Sequence, residues 1–282
     1  MKLAIQLAER VAPRWVEDEA FARWGRPQRR PTRWNGVAPG RVHHLEVGDV
    51  ALAAWEWSGG PDARKTALLV HGWSGNAAQM SSFVEPLRAA GFHVVAVDLP
   101  AHGETAGDFA TILSMAEALA SLGRRLRPEV VVAHSLGATA TTYALTRGLR
   151  PERVVLLAPP VALPPYLQQF TDAVGLSAEM RERLLGRVEQ LLRRPIDELD
   201  LRTHAPRLAH VEALVVHDAG DRVVPVATSR ELVAGWPGAR LVETTGLSHD
   251  AIRRDARVVE EALAFLRDER REAAPSLQLA PT

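Results

Sequence analysis

Ser135, Asp221 and His249 have the side chains and the placement for nucleophilic chemistry at a carbonyl. A serine hydroxyl at its normal pKa is a poor nucleophile. It becomes a good one when a base within hydrogen-bond reach takes its proton, and the base in turn needs a carboxylate to fix its tautomer and stabilise its positive charge. Ser135 lies in Ala133-His134-Ser135-Leu136-Gly137, after the apolar run Val130-Val131-Val132 and before a helix expected over 138–146. A strand, a tight turn with serine at its tip and then a helix form a nucleophile elbow, which holds the hydroxyl clear of its own backbone. The helix start then presents free N–H groups and its positive end to any oxyanion formed there. Small residues are required two before and two after the serine. Gly137 supplies one, and Ala133 supplies the other with one methyl more than glycine. Alone, such a pentapeptide also fits a helix cap or an ordinary turn.

The acid and base sit where a sheet would deliver them. Asp221 falls in Gly220-Asp221-Arg222-Val223-Val224-Pro225, after a strand expected over 213–216. His249 falls in Gly246-Leu247-Ser248-His249-Asp250, after a strand expected over 240–243. Both loops lie at C-terminal strand ends, on the edge where Ser135 emerges. Asp218 is a rival acid nearer its strand. Asp250 adjoins His249 and does not fold back easily onto that imidazole. His134 is expected to point away from the serine, and Asp98 to tie down the turn that follows it. His43, His44, His204, His210 and His217 lack metal-ligand spacing, so no metal is expected. The chemistry needs no cofactor.

These loops require a sheet. Apolar runs over 66–70, 92–97, 130–132, 153–157, 213–216 and 240–243 alternate with helices expected over 77–90, 109–126, 138–146, 226–234 and 255–266. Runs of this length, separated by helices, suit a mostly parallel sheet covered on both faces. A hairpin over 43–47 and 50–57, turning at Gly48-Asp49, precedes them and puts Trp55 and Trp57 on one face. From 159 to 206 the alternation stops. Pro159, Pro160, Pro164 and Pro165 open this segment, and a helix or helix pair follows over 176–192. It reads as a small helical cap over the site, with Phe170, Val174 and Leu176 expected to line an apolar acyl pocket.

The first forty residues differ in character. Leu3, Leu7, Ala8 and Val11 predict a short amphipathic helix. The Arg/Trp-rich passage that follows reads as an extended arm whose tryptophans pack on the main domain while its arginines stay wet. Residues 269–282 read as a disordered tail.

Composition narrows the function. The 282 residues suit one large α/β domain, 41–158 and 207–268 forming its core. Basic and acidic residues number 34 each, so nothing suggests nucleic acid as a partner. No stretch is long and apolar enough for a membrane span. Cysteine is absent, which excludes disulfides and thiolate chemistry and accords with a cytoplasmic location. Association into a homo-oligomer is left open.

Together these motifs resemble the α/β-hydrolase superfamily in its serine esterase and lipase-like branch, over roughly 41–266. His71-Gly72-Trp73-Ser74-Gly75 resembles the family's oxyanion loop. Asp98-Leu99-Pro100-Ala101-His102-Gly103 resembles its D-x-P-x-H-G turn, and 133–137 its elbow. The order Ser, Asp, His is the family's order. Ala133 departs from the usual glycine, as does Asp218. The resemblance implies an oxyanion hole made by the backbone N–H groups of Trp73 and Leu136, with the Trp73 side chain walling the acyl site. It implies structural roles for His71 and His102. The activity expected is hydrolysis of small to medium carboxylic esters through an acyl-enzyme on Ser135. Thioester cleavage or acyl transfer by the same residues, and a non-catalytic binding protein on the same scaffold, are the alternatives.

Overall fold

Six short runs, most of them apolar on both faces, become the parallel strands of one sheet in the computed structural model, which describes residues 2–48, 50–267 and 278–279. They are β3 (Lys65–Val70), β4 (Phe92–Val97), β5 (Val130–His134), β6 (Arg153–Leu157), β7 (Glu212–Asp218) and β8 (Ala239–Thr244). The hairpin β1 (Arg41–Val47) and β2 (Val50–Trp57) adds two antiparallel strands, and Gln278–Leu279 (β9) pairs parallel to β8. The order across the sheet is β1-β2-β4-β3-β5-β6-β7-β8-β9. Asp49 of the expected hairpin turn lies outside the described residues, as does the expected tail apart from β9.

Strand alternation sorts the core into two layers. Leu68, Val70, Val131, Ala133, Val154 and Leu156 face one side, under the helices α4 (Ile112–Leu126) and α5 (Leu136–Leu145). Ala67, Leu69, Val130, Val132, Val155 and Leu157 face the other, under α3 (Val84–Ala89) and α10 (Ala256–Leu266). Trp55 and Trp57 share the second side, as their spacing predicts. The remaining core helix, α9 (Val226–Ala234), joins β7 to β8.

Two helices start later than their apolar patterns suggest. α4 begins at Ile112 because Thr111 caps it: the Thr111 hydroxyl accepts from the Ser114 N–H (3.1 Å), and the Ser114 hydroxyl accepts from the Thr111 N–H (2.9 Å). Ahead of α3, residues Ala77–Phe83 form a 3-10 helix. Pro86 has no N–H to donate and is tolerated only in a first helical turn, which places the α-helix start at Val84.

Between β6 and β7 the chain is helical. α6 (Pro164–Val174) opens on the proline pair and closes at Gly175 with φ +88°. α7 (Ala178–Leu192) is capped by the Ser177 hydroxyl, and the short α8 (Leu201–His204) follows.

The N-terminal segment begins with the short helix expected, but the passage after it, expected as an extended arm, opens with a second helix. These are α1 (Lys2–Val11) and α2 (Pro13–Trp24). Val16 and Ala20 of α2 pack with Leu167 of α6, with Met180 and Leu184 of α7, and with Leu176 between them. Glu17 pairs with Arg183 at 2.6 Å, and Asp18 with Arg187. Glu19 instead pairs within α2, with Arg23 at 2.7 Å. Ile5 and Ala8 of α1 join this cluster, whereas Leu3, Leu7, Val11 and Trp15 are between 62% and 81% exposed. Trp34 packs edge-on against Trp57 and Trp55. Arg29 is not simply hydrated: its guanidinium donates to the carbonyls of Gly103, Thr105 and Gly107 at 2.5–2.8 Å.

Candidate active site

The elbow is made by backbone geometry. Ser135 follows β5 directly with φ +51° and ψ −130°, a conformation that L residues rarely adopt. Its N–H donates to the Leu157 carbonyl of β6 (2.8 Å), and α5 begins at the next residue. Gly137 has no room for a side chain, because a Cβ there would sit 2.0 Å from the His71 carbonyl oxygen. Gly72 is more loosely constrained from the other side, where a Cβ would sit 3.0 Å from the Ser135 Cβ. Ala133 is fully buried in the core under α4 and α5, so its extra methyl is packed.

The loops after β7 and β8 bring Asp221 and His249 to this edge. His249 Nε2 lies 2.8 Å from Ser135 Oγ, and its Nδ1 lies 2.7 Å from Asp221 Oδ2. The second carboxylate oxygen of Asp221 accepts from the N–H groups of Val223 (2.8 Å) and Val224 (3.0 Å). Burial pushes the Asp221 carboxyl up, but hydrogen bonds from His217, His249 and those two amides outweigh it, so it is held well below the usual carboxylate range. Asp221 is therefore a carboxylate at neutral pH.

The rival Asp218 is committed elsewhere. It accepts from the N–H groups of Gly220 and Leu247 and from the Thr244 hydroxyl, all at 2.9 Å, and so staples the loops that carry Asp221 and His249. Asp250 pairs with Arg253 at 2.9 Å.

Two histidines have contacts that the sequence does not reveal. His217 Nε2 lies 2.9 Å from the Val224 carbonyl and 3.5 Å from Asp221 Oδ2, and its Nδ1 lies 2.7 Å from Ser229 Oγ. Donation from Nε2 to the carbonyl leaves Nδ1 to accept from the hydroxyl, so a second imidazole fixes the turn that carries Asp221, with the same Nε2 beside its carboxylate. Its position, four before Asp221, is the available signal. His134 does not point away from the serine as expected. Its Nε2 donates to the His249 carbonyl (2.9 Å), with the two rings 5.0 Å apart. The turn at Ser135 breaks strand alternation, so a side chain beside the serine reaches the same edge.

The loop after β3 reaches the serine from the other side. His71 Nε2 accepts from the Leu99 N–H (3.0 Å) while its Nδ1 donates to the Gly72 carbonyl (2.7 Å). Asp98 accepts from the N–H groups of Ala77 and Glu104, both at 2.6 Å, and so holds its own turn and the start of the 3-10 helix.

These groups border a cavity of about 400 Å³. Trp73, Leu136, Leu163, Leu167 and Phe170 give it apolar walls, with Ser135 and His249 in its lining. Val174 and Leu176 do not line it, contrary to expectation; they pack against α2, α7 and their neighbours instead. Trp24 of α2 does line it. Among the described residues no group of three or more His, Asp or Glu side chains is placed to hold a metal ion.

A model of the alpha/beta hydrolase family matches residues 67–262. The chain belongs to that family. The alpha/beta hydrolase fold is shared with the esterase Pf2001 of Pyrococcus furiosus, 18% identical, with a TM-score of 0.67 over 86% of this chain and 98% of that one. Est1E of Butyrivibrio proteoclasticus, solved with ferulic acid bound, is 16% identical with a TM-score of 0.63 over 80% and 97%. A thioesterase domain from the curacin biosynthetic pathway is 17% identical with a TM-score of 0.58 over 82% and 99%. No described helix of this hydrolase is long and apolar enough to cross a membrane.

The histidines behind the site make its stability depend on pH. Burial holds His71 and His134 down to about 3 and His102 to about 4, from 6.5. Below pH 6.5 the unfolded chain binds protons that the folded chain refuses, so each imidazole costs up to about 1.4 kcal/mol of stability per pH unit. Asp98 acts the other way. Burial raises it to about 6, so its proton favours the folded state as pH falls from 6 to 4. Three imidazoles outweigh one carboxyl. The urea midpoint should therefore fall continuously from pH 6.5 to pH 4.5; a midpoint that is flat or rises over that range would contradict these neutral histidines.

Proposed function

We propose that this hydrolase cleaves carboxylic esters of small to medium acyl chains through an acyl-enzyme on Ser135, without a cofactor. The observation that carries this reading is the continuous chain from Asp221 through His249 to Ser135, with contacts of 2.7 and 2.8 Å, opening into an apolar cavity. Nδ1–H of His249 donates to Asp221, which leaves Nε2 free to accept a proton. As Ser135 Oγ attacks the ester carbonyl, its proton passes to Nε2 and the imidazolium is stabilised by Asp221. The backbone N–H groups of Leu136 and Trp73 stabilise the oxyanion, each worth roughly 3–4 kcal/mol of barrier. Collapse expels the alcohol, which takes the proton from His249. Water then gives its proton to the same nitrogen, attacks the acyl-enzyme and releases the acid. The helices of 159–206 act as a cap, and their inner side chains measure the acyl chain.

The same attack opens a thioester, and likeness to a thioesterase domain keeps that substrate class in view. The intact hydrogen-bonded chain argues against a purely binding role. The location we propose is cytoplasmic, in keeping with a chain without cysteine.

The test is a series of p-nitrophenyl esters from acetate to palmitate. A cavity of this size gives a maximum of kcat/KM at short to medium length and a steep fall at the longest chains. Equal rates at all lengths would overturn the acyl-size reading, and no turnover at any length by folded protein would overturn the esterase itself.

A further inference from the structure

The cavity has one feature that simple ester hydrolysis does not use. Arg30 is the one lysine or arginine in its lining. Among the described residues, its guanidinium takes no hydrogen bond or ion pair. The lining carboxylate, Asp250, is already matched by Arg253.

Arg30 is also held in place by its backbone. The Gln28 N–H donates to Ser74 Oγ at 2.9 Å. Asn76, itself buried, donates from Nδ2 to the carbonyls of Arg30 (3.1 Å) and Pro31 (3.3 Å). These contacts fasten the arm to the same loop that carries Trp73. The segment that carries it is basic: residues 26–33 contain four arginines and no acid. Arg29 donates three hydrogen bonds, all to neutral carbonyls, so its charge remains. The nearest acid to Arg26 is the exposed Asp108, at 3.7 Å.

Arg30 is exposed at the cavity lining, where an entering anion can reach it, and its fork matches a carboxylate or phosphate with two parallel hydrogen bonds. We propose that Arg30 forms an anion-binding subsite, and that the substrate is an ester or thioester carrying a carboxylate or phosphate away from the scissile bond. This rests on the hydrolase reading above and narrows its substrate class. The anion has two sources: the far end of the acyl chain, or the leaving group.

The experiment separates them with matched pairs. One pair is p-nitrophenyl hexanoate and the mono-p-nitrophenyl ester of hexanedioic acid. The other is a hexanoyl thioester with and without a phosphate on its thiol portion. The full-length protein is expected to favour the charged member of one pair by about tenfold or more in kcat/KM, mainly through KM, with the preference shrinking as salt is raised. Arg30→Gln should bring that ratio close to one while keeping turnover of the neutral member, and Arg30→Lys should restore part of it. Equal ratios in wild type and Arg30→Gln, in both pairs, overturn the subsite.

Binding to the Ser135→Ala protein, followed by tryptophan fluorescence, reads the subsite without chemistry. The charged compound should bind about tenfold more tightly than its neutral partner, and Arg30→Gln in that background should abolish the difference. Tighter charged binding without turnover of any ester by wild type would leave the subsite standing and remove the esterase. Turnover without charge preference would do the reverse.

Discussion

Ser135→Ala is expected to lower kcat for ester hydrolysis by about 10⁵-fold while leaving the fold and its urea midpoint nearly unchanged. Removing a nucleophile that works as a unit with its base abolishes almost all of their joint contribution, leaving what binding and the oxyanion donors supply. The structural cost is small because the side chain holds little of the turn: the Ser135 N–H to Leu157 bond and the start of α5 are backbone features. The same geometry makes Ser135→Gly a useful companion. Glycine tolerates the φ of +51° that serine and alanine do not, so it should raise stability by about 1 kcal/mol while being equally inactive. Retained turnover in purified Ser135→Ala would exclude Ser135 as nucleophile, and a destabilised Ser135→Gly would show that the turn is not strained. Steady-state kinetics and urea titration of the two variants settle both points.

The second large effect separates two neighbouring carboxylates. Asp221→Asn should reduce kcat by about 10³- to 10⁴-fold. An amide there can still accept the Val223 and Val224 N–H groups through its oxygen, which turns its NH₂ towards His249 Nδ1. The imidazole must then accept at Nδ1 and carry its proton on Nε2, where it cannot take one from Ser135. Asp218→Asn should do the opposite. It loses an acceptor from a buried cluster of three hydrogen bonds, costing about 2 kcal/mol of stability, while kcat stays within a few-fold of wild type. Activity lost from Asp218→Asn at full stability, with Asp221→Asn active, would reverse the two roles.

How far the sequence alone reaches follows from what its patterns encode. Apolar runs bounded by turn residues specify strands locally, so the parallel sheet and the strand-end loops of Ser135, Asp221 and His249 are legible in the sequence. Chain order and loop position also separate Asp221 from Asp218. Partner choice across elements is not legible. Val174 and Leu176 have the chemistry of an acyl pocket, yet they pack with α2 because Val16 and Ala20 present an apolar face there. Strand alternation alone directs His134 away from the serine, and the positive φ at Ser135 interrupts that alternation. The spacing of His217 speaks only against metal binding; its role in fixing the turn that carries Asp221 depends on the backbone reversing between them. Arg30 lies in a passage whose composition suggests a hydrated arm; only the contacts of residues 28–31 to Ser74 and Asn76 bring it to the cavity.

The most direct test of the central claim is reaction with an alkyl fluorophosphonate, followed by intact-protein and peptide mass spectrometry. The phosphorus is attacked fastest by a hydroxyl that an adjacent base activates. Wild type should gain a single adduct on Ser135, and His249→Ala should react far more slowly. An unmodified Ser135, or an adduct on another residue, would contradict the account.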